Sequence, residues 1–359
     1  MKVVDLWGGF RNIQTKEPWM EDTLIVVFSA TKGFAALALA VAHSRGYIDY
    51  DEKVAAYWPE FAQEGKEDIT VRQLLAHQAG LCSLDRLHIN QIEDLDTASL
   101  AKNIAGAKPE WEPGSRHGYH AWTVGGLIGE LVRRVDPAHR TLRQFFEEEI
   151  ANPLHAQFYI GLPESIPSTR LAIVKGVDHP IQLFLNLHKF PKKLLLGFLN
   201  PKSLTSRSLV DPKKFVANKN FNTRSLLSIE FASGNGVGQV RDMAKIYSAF
   251  ALRDSQLNIK TDTFKELMKP AFPPACGFYD YVNRIELAYS LGFWKPFYGY
   301  QFGSSDHAFG HPGAGGSFCF ADPDAKIGFA YAMNKFGFGM ADDPREVALR
   351  NAVYRSLDR

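Results

Sequence analysis

Leu24-Ile25-Val26-Val27-Phe28-Ser29-Ala30-Thr31-Lys32 decides how this chain is read. Five apolar residues make a strand-like run, and Ser29 then opens a helical pattern. A serine at a helix N-terminus has its hydroxyl near orphan N–H groups and the positive end of the helix dipole. The lysine three residues on lies one turn along, on the same face. Held neutral, it takes the serine's proton, and the result is an activated nucleophile. Ser99-Leu100-Ala101-Lys102 has the same spacing but follows the acidic stretch Glu93-Asp94-Leu95-Asp96. With no strand before it, Ser99 reads as an exposed helix position.

Working outward, Phe34-Ala35-Ala36-Leu37-Ala38-Leu39-Ala40-Val41-Ala42 is apolar on every face and predicts a buried central helix, closed at Arg45-Gly46. Val3, Val4 and Leu6 predict a strand before the Trp7-Gly8-Gly9 turn. Thr70 is a plausible N-cap for Val71-Arg72-Gln73-Leu74-Leu75, and further helices carry Leu127, Ile128, Leu131 and Val132, then Leu142 to Ile150. Gly234-Asn235-Gly236-Val237-Gly238 reads as a turn leading into an amphipathic helix with Met243, Ile246 and Tyr247. Near the end, 317–321 and 327–333 predict a hairpin around Asp322-Pro323-Asp324. A last helix from about Asp343 carries Leu349, Val353 and Leu357. Strands at both ends with helices between predict an α+β fold whose sheet is closed by the chain's two halves. The expected division is a sheet subdomain, 1–45 with 285–359, and a helical subdomain, 46–284.

The 359 residues give ample length for a core. With 41 Lys and Arg against 39 Asp and Glu, nothing in the overall charge points to nucleic acid. Cys82, Cys276 and Cys319 are too few and too scattered for a disulfide framework or a zinc site, so neither metal nor cofactor is expected. No apolar run approaches the ~18 residues of a spanning helix. The expectation is a soluble protein of the cytoplasm; a mitochondrial one would need a targeting segment ahead of Met1.

A serine–lysine pair needs a second group to move protons and donors for the developing oxyanion. Tyr119 follows the Pro113-Gly114 turn and precedes a helix, a placement that projects one ring into a cleft. Beside a lysine ammonium its pKa is expected to fall, making it a base. Tyr281-Val282-Asn283 is a rival. Gly310-His311-Pro312-Gly313-Ala314-Gly315-Gly316-Ser317 has the glycine density that lets backbone N–H groups approach a substrate, with His311 placed to orient the tyrosine or the substrate.

In this order, Ser29-Ala30-Thr31-Lys32, Pro113-Gly114, Tyr119-His120 and Gly310 to Gly316 resemble the class C β-lactamase-like serine hydrolases. That family includes esterases, D-aminopeptidases and D,D-carboxypeptidases. Asp5-Leu6-Trp7-Gly8-Gly9, Leu74-Leu75-Ala76-His77-Gln78-Ala79-Gly80-Leu81 and Ala321-Asp322-Pro323 extend the likeness over nearly the whole chain. The resemblance implies a β-lactamase/transpeptidase-like fold, an antiparallel sheet flanked by helices with an inserted helical region. Ser29 would be the acylated nucleophile, Lys32 its proton acceptor and Tyr119 the second base, with His311 where many relatives have lysine. The backbone N–H groups of Ser29 and Ala314 would form the oxyanion hole, with Gly313 and His120 among the substrate-binding residues. The implied partner is a small ester, amide or peptide. Ala121 replaces the asparagine of the family's Y-x-N, which favours an esterase over a β-lactamase. Relatives also carry a helix and a strand ahead of the strand expected at Val3, so the chain reads as a shortened form of reduced stability. A catalytically weak scaffold is the alternative.

Between 188 and 225 nine Lys or Arg (Lys189, Lys192, Lys193, Lys202, Arg207, Lys213, Lys214, Lys219, Arg224) meet one acid, Asp211. With Leu194-Leu195-Leu196 and Phe198-Leu199 interleaved, this insert suggests a flap over the cleft that contacts anionic lipid or an acyl chain, or else a solvated loop with a short packed helix.

Overall fold

The computed structural model describes residues 2–357, apart from 86, 88, 90, 177–184, 211–220 and 340. Asp211, Lys213, Lys214 and Lys219 of the basic insert therefore lie outside the described residues. The fold is α+β. Its main sheet is a five-stranded antiparallel meander made of β6 (Tyr289–Ser290), β7 (Phe293–Trp294), β8 (Phe309–Pro312), β9 (Phe318–Asp322) and β10 (Ile327–Tyr331), in the order β10-β9-β8-β7-β6. The expected hairpin is β9–β10, with Asp322 opposite Ile327 and Phe318 opposite Tyr331.

The helix α1 (Thr31–Arg45) is buried along almost its whole length, as its all-round apolar pattern requires. Gly46 ends it in the left-handed region, its N–H returning to the Ala42 and His43 carbonyls. Against α1 packs α3 (Val124–Val135), which in turn carries α2 (Thr97–Ala105); α4 (Val240–Leu252) meets α1 through Tyr247 on Phe34 and covers β9 and β10. A Cβ at Gly328 of β10 would meet the backbone of Ala244 and Ser248, so that glycine sets how closely α4 can lie on the sheet. A second, aromatic-rich core cluster gathers Tyr119, Tyr289, Trp294, Tyr300, Phe302, Phe318 and Phe320 on the β7–β9 side.

Three expectations change. Residues 2–7 form no strand; Val3, Val4 and Leu6 are exposed, and the first strand is β1 (Phe10–Asn12), paired only with β2 (Glu17–Pro18). Apolar residues with no sheet edge beside them gain nothing from extending. In α5 (Pro344–Leu357) the apolar Leu349 and Leu357 point outward, whereas Glu346 and Arg350 are buried as an ion pair at 3.1 Å. Val237–Gly238 is a strand, β5, and forms the centre of a small sheet between β3 (Ile25–Val26) and β4 (Phe158–Tyr159). Its glycines serve close approach: a Cβ at Gly238 would crowd the Gln157 carbonyl, and one at Gly236 would crowd Phe158 and Thr31.

Lys295 follows β7 and is almost fully buried, its Nζ donating to the carbonyls of Leu267 at 3.0 Å, Met268 at 3.4 Å and His307 at 3.2 Å. Burial lowers its pKa to about 7. From there to the unfolded lysine value of about 10.4, the unfolded chain binds a proton that the folded chain lacks, so stability rises with pH. The slope is at most about 1.4 kcal/mol per pH unit for one group. Urea titrations across this window should show the rise, and Lys295→Met should flatten it. An unchanged slope would mean that Lys295 keeps its charge on folding.

Candidate active site

The turn carrying Ser29 is fastened from three sides. Ser29 lies in a 3-10 turn, Phe28–Ala30, that runs straight into α1. Phe28 has φ +51°, a left-handed conformation costly for an aromatic residue, typically about 1–3 kcal/mol. Thr31 Oγ1 donates to the Phe28 carbonyl at 2.5 Å and accepts from Gly236 N–H at 2.8 Å. Val27 N–H donates to the Gly236 carbonyl at 2.9 Å, and Ser317 Oγ donates to the Val27 carbonyl at 3.0 Å. The Gly234–Gly238 segment is therefore a clamp on the serine turn. Gly236→Val drives a branched side chain into Phe158 and Thr31, and overpacking of this kind costs about 1–3 kcal/mol. A urea midpoint matching the native protein would show that the clamp yields freely.

Lys32 projects from the first turn of α1, is fully buried, and places Nζ 3.1 Å from Ser29 Oγ and 2.6 Å from the Ser233 carbonyl. No carboxylate pairs with it among the described residues, so burial pulls its pKa well below the usual lysine value and favours the neutral amine. Ser233 holds this geometry, since its Oγ donates to the Trp122 carbonyl at 2.6 Å and accepts from Gly125 N–H at 2.8 Å. Neither Ser233 nor Trp122 was suggested by the sequence. The only signal was Gly125, where a Cβ would meet the Ser233 backbone.

The Tyr119 phenol lies close enough to the Ser29 side chain to interact with it, and its ring centre lies 5.0 Å from Lys32 Nζ. The expected fall in its pKa does not occur. Burial pushes the phenol up, the Ser29 side chain only partly offsets this, and Lys32, whose own burial favours the neutral amine, supplies no firm positive charge to pull it down. Burial thus favours the neutral phenol of Tyr119 and the neutral amine of Lys32, the group beside the serine that could accept its proton. Behind Tyr119 the Tyr289 ring stacks at 6.2 Å, donating its hydroxyl to Asp280 at 2.7 Å. The rival motif divides here. Asn283 donates to the Tyr289 hydroxyl at 3.3 Å, whereas Tyr281 packs against Tyr279 and under Arg116.

His311, on β8, is fully buried with its ring centre 6.0 Å from that of Tyr119. Its Nδ1 lies 2.7 Å from the Pro312 carbonyl, which assigns the proton to Nδ1 and leaves Nε2 as an acceptor with no partner among the described residues. Burial, followed by Lys32, holds the imidazole neutral. The N–H groups of Ser29 and Ala314 make no hydrogen bond among the described residues, and Ala314 is exposed at the tip of a turn packed on Val27 and Ala30. Gly313 differs, because its N–H is spent on the Ser317 carbonyl at 2.7 Å. His120 also has no free ring nitrogen. Nε2 accepts from Leu81 N–H at 2.9 Å and Nδ1 donates to the Gly118 carbonyl at 2.7 Å, so it pins the Tyr119 loop. Ser99 and Lys102 are exposed on α2, away from these groups.

Among the described residues, no group of three or more His, Cys, Asp or Glu is placed to hold a metal, and no helix is long and apolar enough to cross a membrane. The family model described as Beta-lactamase matches residues 2–353. The Esterase/beta-lactamase LipL of Mycobacterium tuberculosis is 32% identical over 344 residues, which cover 93% of this chain and 74% of that protein. The crystal structure of a family VIII carboxylesterase matches with a TM-score of 0.81 and 36% identity, covering 98% of this chain and 89% of the other. A penicillin-binding protein homologue from Caulobacter crescentus matches with a TM-score of 0.82 and 32% identity, covering 97% and 88%.

Proposed function

The chain belongs to the beta-lactamase family, and on that footing we propose that it is a serine hydrolase of esterase type that acts through an acyl-enzyme on Ser29. The observation that carries this is the neutral-leaning Lys32 amine 3.1 Å from Ser29 Oγ, with the Tyr119 phenol beside the pair. Lys32 takes the Ser29 proton as Oγ bonds to the carbonyl carbon of a small ester or amide. The carbonyl π pair moves onto oxygen, facing the N–H groups of Ser29 and Ala314. Collapse expels the alkoxide or amine, which takes a proton from the Tyr119 hydroxyl while Tyr119 regains one from the Lys32 ammonium. Water then attacks the acyl group, giving its proton to Lys32, and the acid leaves as Ser29 is reprotonated. No step calls for a metal or a cofactor. Ala121, beside Tyr119, has no amide to hold a lactam side chain, which supports ester over β-lactam substrates.

The reading is tested with 4-nitrophenyl acetate and butyrate. The native chain should turn both over, and Tyr119→Phe should keep its fold but lose ~10²-fold or more in kcat, the usual worth of a positioned proton donor. Absence of turnover from a cooperatively melting native chain would overturn the proposal in favour of a scaffold that keeps the fold without the chemistry.

A further inference from the structure

The part of the basic insert that is described is docked on the body of the protein. Arg207 pairs with Asp85 and Glu110, and Thr205 Oγ1 donates to the Val282 carbonyl at 2.7 Å. Between this segment and the 279–300 stretch lies a cavity of about 750 Å³, within the range of small-molecule sites. Its walls are Tyr279, Trp294, Phe297, Tyr298 and Tyr300. Lys189, Lys192, Lys193 and Arg284 also line it, against a single carboxylate, Glu286. None of the four cations forms an ion pair among the described residues; Lys189 and Lys193 lie over the Phe338 and Tyr279 rings. Lys189, Lys192 and Lys193 are exposed and Arg284 is half-buried, so their summed positive field faces solvent and is open to an anion.

Trp294 is a buried wall between this cavity and the His311 side of the candidate site. It pairs with Gly310 across β7 and β8, and its ring centre lies 6.1 Å from that of His311. It is buried, yet its indole N–H has no partner among the described residues, so the shared wall offers an unused donor. The rings and cations line a hollow that opens to solvent, with Tyr298 exposed on its rim, and its concave volume is of the size that small ligands fill.

We propose that this cavity receives the anionic end of an amphipathic substrate: a carboxylate or phosphate on an apolar or aromatic body, with the ester carbonyl at Ser29. The inference rests on the hydrolase reading and names its substrate class. The cations hold the charge, the rings pack the body, and Trp294 lies between the two ends.

Two measurements separate this proposal from the reading beneath it. Direct binding is followed by calorimetry on Ser29→Ala, with 4-phenylbutyrate, phenyl phosphate and the neutral 4-phenylbutyramide as probes. Both anions should bind saturably and at least ~10-fold more tightly than the amide. The Lys192→Glu/Arg284→Glu double variant should lose that preference, and the stronger anion identifies the headgroup. In turnover, 4-nitrophenyl half-esters of glutarate, adipate and suberate are compared with neutral esters of equal chain length. The anionic-to-neutral ratio of kcat/KM should exceed ~10 and fall at least tenfold in the double variant. Neutral esters turned over without anion preference would overturn the proposal and leave the hydrolase intact. Anion binding without turnover of any ester would keep the cavity and remove the hydrolase. Retention on phosphatidylglycerol vesicles with no saturable binding of the free anions would overturn it and assign the basic face to a lipid surface.

Discussion

Ser29→Ala should lower ester hydrolysis by roughly 10⁴-fold or more, to a residue set by the oxyanion donors and binding alone. The hydroxyl is small and half-exposed, and its removal strands no buried group that the fold needs. Lys32 Nζ keeps the Ser233 carbonyl at 2.6 Å, so the melting temperature should stay within a few degrees of the native one. Ser99→Ala, on an exposed face of α2, should leave the rate unchanged. The pair of variants separates the two S-x-x-K matches with one assay. Equal losses in both, or none in either, would remove Ser29 from the chemistry.

Lys32→Met should be the second severe loss, about 10²–10⁴-fold, the worth of a positioned base. Burying a lysine with no counter-charge costs stability, so the methionine variant should melt at or above the native temperature even as activity collapses. Lys32→Arg should fail as well, because a guanidinium does not become neutral in water near pH 7. The sign of the pH dependence follows. The working form is the neutral amine, so kcat/KM on a non-ionising ester should rise with pH through the Lys32 pKa and then level off. With that pKa well below 10.5, the plateau should begin far short of the ordinary lysine range. A rate still climbing tenfold per unit at pH 9 would mean that the buried amine titrates normally.

These two residues were legible because local rules fix them. An apolar run, a serine at the start of a helix and a lysine one turn on need no knowledge of distant chain. The same holds for α1, where all-round apolarity signals burial, and for the β9–β10 hairpin around its Asp-Pro-Asp turn. What escaped notice depends on contacts across the sequence. Ser233 meets Lys32 although the two stand 201 positions apart in the chain. Gly236 reads as turn chemistry until Thr31 and Val27 are packed against it. Tyr119 was placed correctly beside the serine, but its protonation depends on desolvation, which composition does not encode. The outward Leu349 and Leu357 show the same limit for helix faces, since a buried Glu346–Arg350 pair took the inner side. The resemblance places His120 among the substrate-binding residues, whereas here both its ring nitrogens are bonded to the backbone around the Tyr119 loop.

The central claim is that Ser29 is an assembled nucleophile. Its most direct test is intact-mass analysis after exposure to a fluorophosphonate, with the adduct located by peptide mapping. A single adduct on Ser29 is expected, formed by the native chain and by Ser99→Ala, absent from Ser29→Ala, and much slower in Lys32→Met. A folded native chain that stays unmodified, or one that carries the adduct on another residue, would contradict it.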